Sequence, residues 1–279
     1  MRIKCWGSRG SIPVSGKEYI KYGGETTCIE IRTKNDEIII IDAGTGIRPL
    51  GNSLCKEKRS SYHFIMTHVH LDHLFGFPFF RPLYEKQTKI YMYSSAFPGI
   101  SLKKMIAGLI CPPIFPLKYP EIKAQLLYQN HSPLQFNIGS LKISSIPLNH
   151  PGQTRGYKFM EDDKTFVFLT DNELRAVYGN GLPFEEYVKF SKGADLLFHD
   201  AEYTPEEYKT KKLWGHSSYA DAVDLAVEAG VKSLGLFHLS PERTDQKMDK
   251  IIKNCRQSIT DMGVGLKCFG VRGDMTFKL

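Results

Sequence analysis

Within one short stretch, MTHVHLDHLFGF, stand His68, His70, Asp72 and His73, directly after the apolar run YHFIMT. A buried strand that ends in so many ligand-type side chains restricts the architecture. It asks for a layered fold in which strand ends deliver further polar groups to one edge. The spacing of two between His68 and His70 lets both converge on one point. If a helix begins near Asp72, then Asp72 and His73 project in another direction. Imidazole and carboxylate together suit zinc or a related transition metal. One ion can hardly use all four groups and keep a reactive position, whereas two neighbouring ions can. A chance run of polar turn residues would not give the order HxHxDH.

Around this cluster the chain reads as alternating short β-like runs and helices. RIKCW, TCIEIR, EIIIID, YHFIMT and KIYMYS fill the first half, separated by Gly, Asn and Asp turns. LKISSIPL, RGYKFM, TFVFLT, ADLLFHD and SLGLFHL follow. The segment 217–230 has a helix pattern, with Ser218 as its cap, Asp221 in its first turn and Gly230 at its stop. A polar-faced helix is expected over 241–262, and two β-like runs surround Lys267 and Thr276. With 279 residues, 42% of them hydrophobic, the chain can bury a large core. Strands mixed with helices, without repeats or evident linkers, argue for one layered α/β domain over 1–279. The interval 97–128 holds a short helix signal and the proline-rich CPPIFPLKYP, the composition of a loop that covers a site. Its aromatics Phe97, Phe115 and Tyr119 either close over a base or sugar or pack the insertion against the body.

The formal charge of +7 is spread along the chain, a solvated basic surface that mildly favours anionic substrates. The six cysteines form no CxxC pair, so no cysteine-rich zinc site is expected. No apolar run approaches the roughly 20 residues of a membrane helix. The first residues lack a signal-peptide core, and a reducing, cytoplasmic setting is the expectation.

On THVHLDH, the sequence resembles the metallo-β-lactamase superfamily at each metal-binding position of its leading motif. The later motifs occur in order: PLNHPG with His150, FLTDNE with Asp171 and GLFHLSP with His238. The resemblance implies a four-layer αββα sandwich with the site at one edge of paired sheets. It implies that His68, His70 and His150 hold one metal, that Asp72, His73 and His238 hold a second, and that Asp171 bridges them. The implied cofactors are two divalent transition-metal ions, most simply Zn²⁺, with Mn²⁺ or Fe compatible.

Two further stretches are similar to the tRNase Z and cyclic-phosphodiesterase branch: LLFHDAEYT, with Asp200, and WGHSSYADAV, with His216, Ser217 and Ser218. By that resemblance Asp72, Asp200 and His216 form the catalytic set. Asp200 tunes His216, which protonates the leaving oxygen as a metal-bound hydroxide attacks phosphorus. His216, Ser217 and Ser218 stand before a helix N-terminus, where N–H groups suit phosphate. The implied activity is hydrolysis of a small phosphodiester or nucleotide, cyclic substrates included. The interval 151–170 leaves no room for the long arm of tRNA-processing relatives, which weighs against pre-tRNA. Cleavage of RNA ends, hydrolysis of a lactone or thioester on the same metals, and non-catalytic nucleotide binding stay open, as does a homodimer. Arg9 and Arg48 are further phosphate candidates, with solvation or salt-bridging the simpler reading. Asp42 is assigned to loop architecture, His199 to packing, and His63 and His131 to structural or exposed positions.

Overall fold

The structure, a computed structural model, describes residues 1–94, 100–129, 134–177, 179 and 181–279. Phe97 and His131 lie outside these. The strands are β1 (Arg2–Gly7), β2 (Cys28–Arg32), β3 (Ile38–Ile41), β4 (Ser61–Ile65), β5 (Lys89–Tyr93), β6 (Gln125–Gln129), β7 (Gln135–Ile138), β8 (Leu141–Pro147), β9 (Arg155–Glu161), β10 (Lys164–Leu169), β11 (Leu196–Asp200), β12 (Ser233–Phe237), β13 (Lys267–Gly270) and β14 (Thr276–Lys278). They form two seven-stranded sheets, ordered β14-β1-β2-β3-β4-β5-β6 and β13-β12-β11-β10-β9-β8-β7. The main helices are α1 (Ile47–Lys56), α2 (Leu71–Leu74), α3 (Leu102–Leu109), α4 (Phe184–Ser191), α5 (Pro205–Tyr208), α6 (Tyr219–Glu228) and α7 (Asp245–Asp261).

The four consecutive isoleucines of β3 show why the layers stack as they do. Side chains alternate across a strand. Ile38 and Ile40 join Leu50 and Leu54 of α1 and Ile106 of α3 in an outer core. Ile39 and Ile41 face the opposite way and meet Phe159, Phe166 and Phe198 of the second sheet. A third core fills the far side, where Leu197 and Leu236 pack against Ala222 and Leu225 of α6 and Ile252 of α7. Helix, sheet, sheet and helix therefore enclose three apolar layers, the expected αββα sandwich.

Strand direction then gathers the site. β10, β11 and β12 pair in parallel, with Leu169 beside His199 and Asp200 beside Phe237. β8 and β10 each run antiparallel to β9 between them, so β8 ends at the same edge. The end of β4 in the other sheet is tied there by Arg155 N–H, which donates to the carbonyl of Thr67 (3.1 Å). In the segment 100–128, α3 packs into the outer core, and Phe115 and Tyr119 pack against the same body. Phe115 meets Phe79 edge-on at 5.7 Å, and the hydroxyls of Tyr119 and Tyr128 are 3.0 Å apart.

Candidate metal centre

Most polar residues of the motifs leave a strand at this edge, whereas Asp72 and His73 lie on α2 and His216 precedes α6. His68 and His70 follow β4, His150 follows β8, Asp171 follows β10, Asp200 ends β11 and His238 follows β12. Asp42, Asp171 and His238 turn out of their strands with φ of +58°, +54° and +54°. Such backbone costs about 1–3 kcal/mol per residue and clusters at functional sites.

The side chains converge in two adjoining groups. Ligand-type atoms of His68, His70, His150 and Asp171 lie within 4.8 Å of one another, as do those of Asp72, His73, Asp171 and His238. Asp171 belongs to both. The separations are those of atoms around a cation: 3.0 Å from His70 Nδ1 to His150 Nε2, 3.2 Å from His73 Nε2 to Asp171, and 3.2 and 3.1 Å from His238 Nε2 to Asp171 and Asp72. Four atoms bound at about 2.1 Å in a tetrahedron stand roughly 3.4 Å apart. The Nε2 atoms of His68 and His73 are buried and have no hydrogen-bond partner among the described residues. Their rings are anchored from the other nitrogen, Nδ1 of His68 by Thr67 Oγ1 (3.1 Å) and Nδ1 of His73 by Asp42 (2.8 Å). His150 Nδ1 likewise meets the Gly215 carbonyl (2.9 Å), and His238 Nδ1 meets Glu202 (3.1 Å). Such outer partners fix the tautomer and aim the free lone pair inward. The donor set thus fits divalent transition metal.

The field at the site agrees. Burial pushes His73 and His238 down, yet Asp171 and the neighbouring carboxylates outweigh it and raise both well above the ordinary histidine range. Burial likewise opposes ionisation of Asp171, and the surrounding rings hold it well below the carboxylate range. His68, farther from compensating charge, is driven down by burial, and His150 falls to about 4 for the same reason. A centre that attracts protons onto two rings attracts a cation in their place.

His216 stands beside this centre. Its Nδ1 is 2.7 Å from Asp200 Oδ2 and 3.4 Å from Glu202 Oε2. Its ring lies 5.0 Å from His150 and stacks on His238 at 4.8 Å. Burial lowers its proton affinity, but Asp200 and Glu202 prevail and raise its pKa to about 9. A ring held at Nδ1 keeps Nε2 as the nitrogen that can pass on a proton. Ser217 is buried; its hydroxyl donates to the carbonyl of Asn172 (2.6 Å) and accepts from Leu174 N–H (3.0 Å). Ser218 caps α6 in a capping box with Asp221.

The comparisons agree with this geometry. Residues 38–239, which span every one of these histidines, match the Beta-lactamase superfamily domain. The chain belongs to the beta-lactamase superfamily. A ribonuclease Z of Haloarcula marismortui is 23% identical over 306 residues, covering 92% of each chain. Among solved structures, the metallo-beta-lactamase fold protein YhfI from Bacillus subtilis aligns with a TM-score of 0.70 at 16% identity, over 99% of this chain and 98% of that one. Human tRNase Z, short form, aligns with a TM-score of 0.65 at 18% identity, over 100% and 99%. The relative is thus a ribonuclease Z and one of the structural neighbours a tRNase Z, while the family that this chain shares with them is the superfamily itself.

Arg9 departs from its sequence reading, whereas Arg48, Asp42 and His199 take the places expected of them. Arg9 is neither solvated nor free for phosphate: it is fully buried, and its guanidinium donates to the carbonyls of Gly23, Ser240 and Arg243 at 2.7–3.2 Å. Arg48 is exposed, 3.8 Å from Glu25. Asp42 shapes its loop and also orients His73. His199 is buried, its Nε2 3.2 Å from Asn172 Nδ2. Glu173 and Glu202 carry no signal of their own in the sequence. Each follows a motif aspartate by two residues, beyond the end of its strand. No helix among the described residues is long and apolar enough to cross a membrane.

Proposed function

We propose that this chain is a dinuclear, zinc-dependent phosphodiesterase acting on a small phosphodiester or nucleotide, cyclic forms included. The observation that carries the reading is the pair of ligand groups sharing Asp171, with His216 beside them on an Asp200 anchor. His68, His70 and His150 would hold one cation and Asp72, His73 and His238 the other, with Asp171 common to both. When bound, such cations supply an activated water and neutralise charge on the non-bridging oxygens.

The chain's own groups do the rest. Asp171 and Asp72 face the cations directly while Asp42, Asp200 and Glu202 stand behind the rings of His73, His216 and His238, so the positive charge of the cations is what an approaching phosphodiester anion would meet. His216, held at Nδ1 by Asp200, donates from Nε2 to the departing oxygen. The site opens at exposed His70, and exposed Leu71 and Trp214 offer apolar surface near it for a base. The short β9–β10 turn in place of an arm favours a small substrate.

A second reading, cleavage at an RNA end, draws on the ribonuclease Z relative. Zinc- or manganese-loaded protein assayed against 2′,3′- and 3′,5′-cyclic nucleotides, cyclic ribose phosphates, short RNA and pre-tRNA separates the two. Turnover of the small diesters with RNA left intact supports the proposal. Pre-tRNA cleavage without turnover of any small diester overturns it in favour of the nuclease. In the same assay His216→Ala should lose about 10²–10⁴-fold in turnover, the usual share of a general acid. Its metal content should stay unchanged.

A further inference from the structure

Glu173 is wholly buried and takes no place among the metal-facing groups. Its carboxylate accepts from Tyr208 Oη–H (2.8 Å), Leu213 N–H (2.8 Å) and Gly215 N–H (2.9 Å). Its own N–H donates to the carbonyl of Asn149 (2.9 Å), the residue before His150. It therefore fastens the 213–215 loop to the loop that carries His150.

That loop needs fastening. Leu213 stands at φ +67° with its side chain 64% exposed, so no burial repays a conformation that costs about 1–2 kcal/mol. Gly215 stands at φ +90°, and a Cβ there would come within 2.3 Å of His150 Nδ1. The approach is close because the Gly215 carbonyl accepts from that nitrogen. The next residue is His216. One buried carboxylate thus fixes the backbone on which both the aim of His150 and the seat of His216 depend.

We propose that Glu173 is a positioning residue that, through the 213–216 loop, holds His150 in its ligand orientation and so sustains the cation group of His68, His70 and His150 selectively. The inference rests on the two-cation reading above. The other group has separate anchors: Asp42 on His73, Glu202 on His238, and Ser11 N–H on Asp72 (2.8 Å). None of them runs through Glu173.

Glu173→Gln is the test. A glutamine keeps the shape but turns an amide NH₂ toward at least one of three donors, so the clamp cannot be complete. Zinc is titrated against a competing chelator, with thermal unfolding followed in parallel. Wild type should take up two ions. Glu173→Gln should hold one ion at wild-type affinity and bind the other about 10–100-fold more weakly, the usual effect of losing an outer partner. Tyr208→Phe, which keeps both backbone bonds, should still bind two ions tightly. If Glu173→Gln does not fold, Gly215→Ala attacks the same link from the other side and should give the same one-site loss. Two ions bound at wild-type affinity, with only a lower melting temperature, would overturn the inference and leave the dinuclear reading standing. Equal weakening at both positions would overturn it too. A wild type that binds one ion or none overturns the dinuclear reading and this inference with it.

Discussion

At the exit of β3, Asp42 carries two duties that can be separated by one substitution. Its carboxylate is fully buried and accepts from Thr67 N–H (2.7 Å), Thr67 Oγ1–H (2.7 Å) and the His73 ring (2.8 Å). Its backbone sits at φ +58°, a region that asparagine tolerates nearly as well as aspartate. Asp42→Asn therefore leaves the turn in place and exchanges one acceptor oxygen for a donor. The amide NH₂ then faces either His73 and Thr67 Oγ1 or Thr67 N–H, so the bracket that fixes the His73 ring is broken at one end. Metal affinity should fall about 10–100-fold, read by chelator competition, while the far-ultraviolet circular dichroism stays that of wild type. Unchanged affinity would confine Asp42 to the loop role that the DAGTG stretch suggested. The residues of the two candidate ligand groups stand out in the sequence because histidine and aspartate recur in a fixed order just beyond β-like runs. Asp42, Glu173 and Glu202 do not, since a carboxylate's partner lies across the fold and nothing local reveals it.

The elements around the site are joined by a buried connection for which solvation or salt-bridging is the simpler sequence reading. The loop after β1 carries Arg9, whose guanidinium ties the carbonyl of Gly23 to those of Ser240 and Arg243 in the loop after His238. Backbone bonds run alongside it, from Gly10 N–H to the Leu239 carbonyl and from Leu239 N–H to the Ser8 carbonyl, both 3.0 Å. Gly10 lies so close that a Cβ would meet the His238 ring at 2.3 Å. The GSRGS composition looks flexible because glycine and serine permit many conformations when nothing packs on them. Here the loop after β12 packs on them. Arg9→Ala removes the donor and leaves buried carbonyls unmet, so unfolding free energy should drop by about 3 kcal/mol or more, measured in urea. A loss under about 0.5 kcal/mol would mean water fills the place freely. By contrast, α6 and the strands were readable locally: Ser218 and Asp221 form the capping box their spacing announces, and the alternation in IIII sorts itself between two cores.

At the scale of the molecule, the two sheets meet along the inter-sheet core, and His63 marks how its rim responds to protons. His63 lies on β4, level with Ile39 of β3 and Tyr91 of β5. Its ring stacks on Tyr91 at 4.9 Å, and its Nδ1 is 3.3 Å from the Tyr93 hydroxyl. Tyr93 in turn stacks on Phe136 of the opposite sheet at 5.1 Å. Burial in this aromatic seam lowers the proton affinity of His63, and Glu37 offsets only part of it. The neutral ring is thus favoured in the folded chain, while the unfolded chain takes up a proton as pH falls through about 6.5. Between that value and the lower folded pKa the unfolded state binds more protons, so stability rises with pH there. The contribution is present above about 6.5 and is lost on acidification. His63→Phe keeps a stacking ring without a titrating site. The variant's stability relative to wild type should therefore increase as pH drops below 6.5 and run parallel to it above. Taking the difference between the two proteins removes the titration of the metal-facing histidines, which both share. Urea unfolding from pH 5 to 8 measures it, and curves parallel across the whole range would show that the seam admits water and leaves His63 an ordinary histidine.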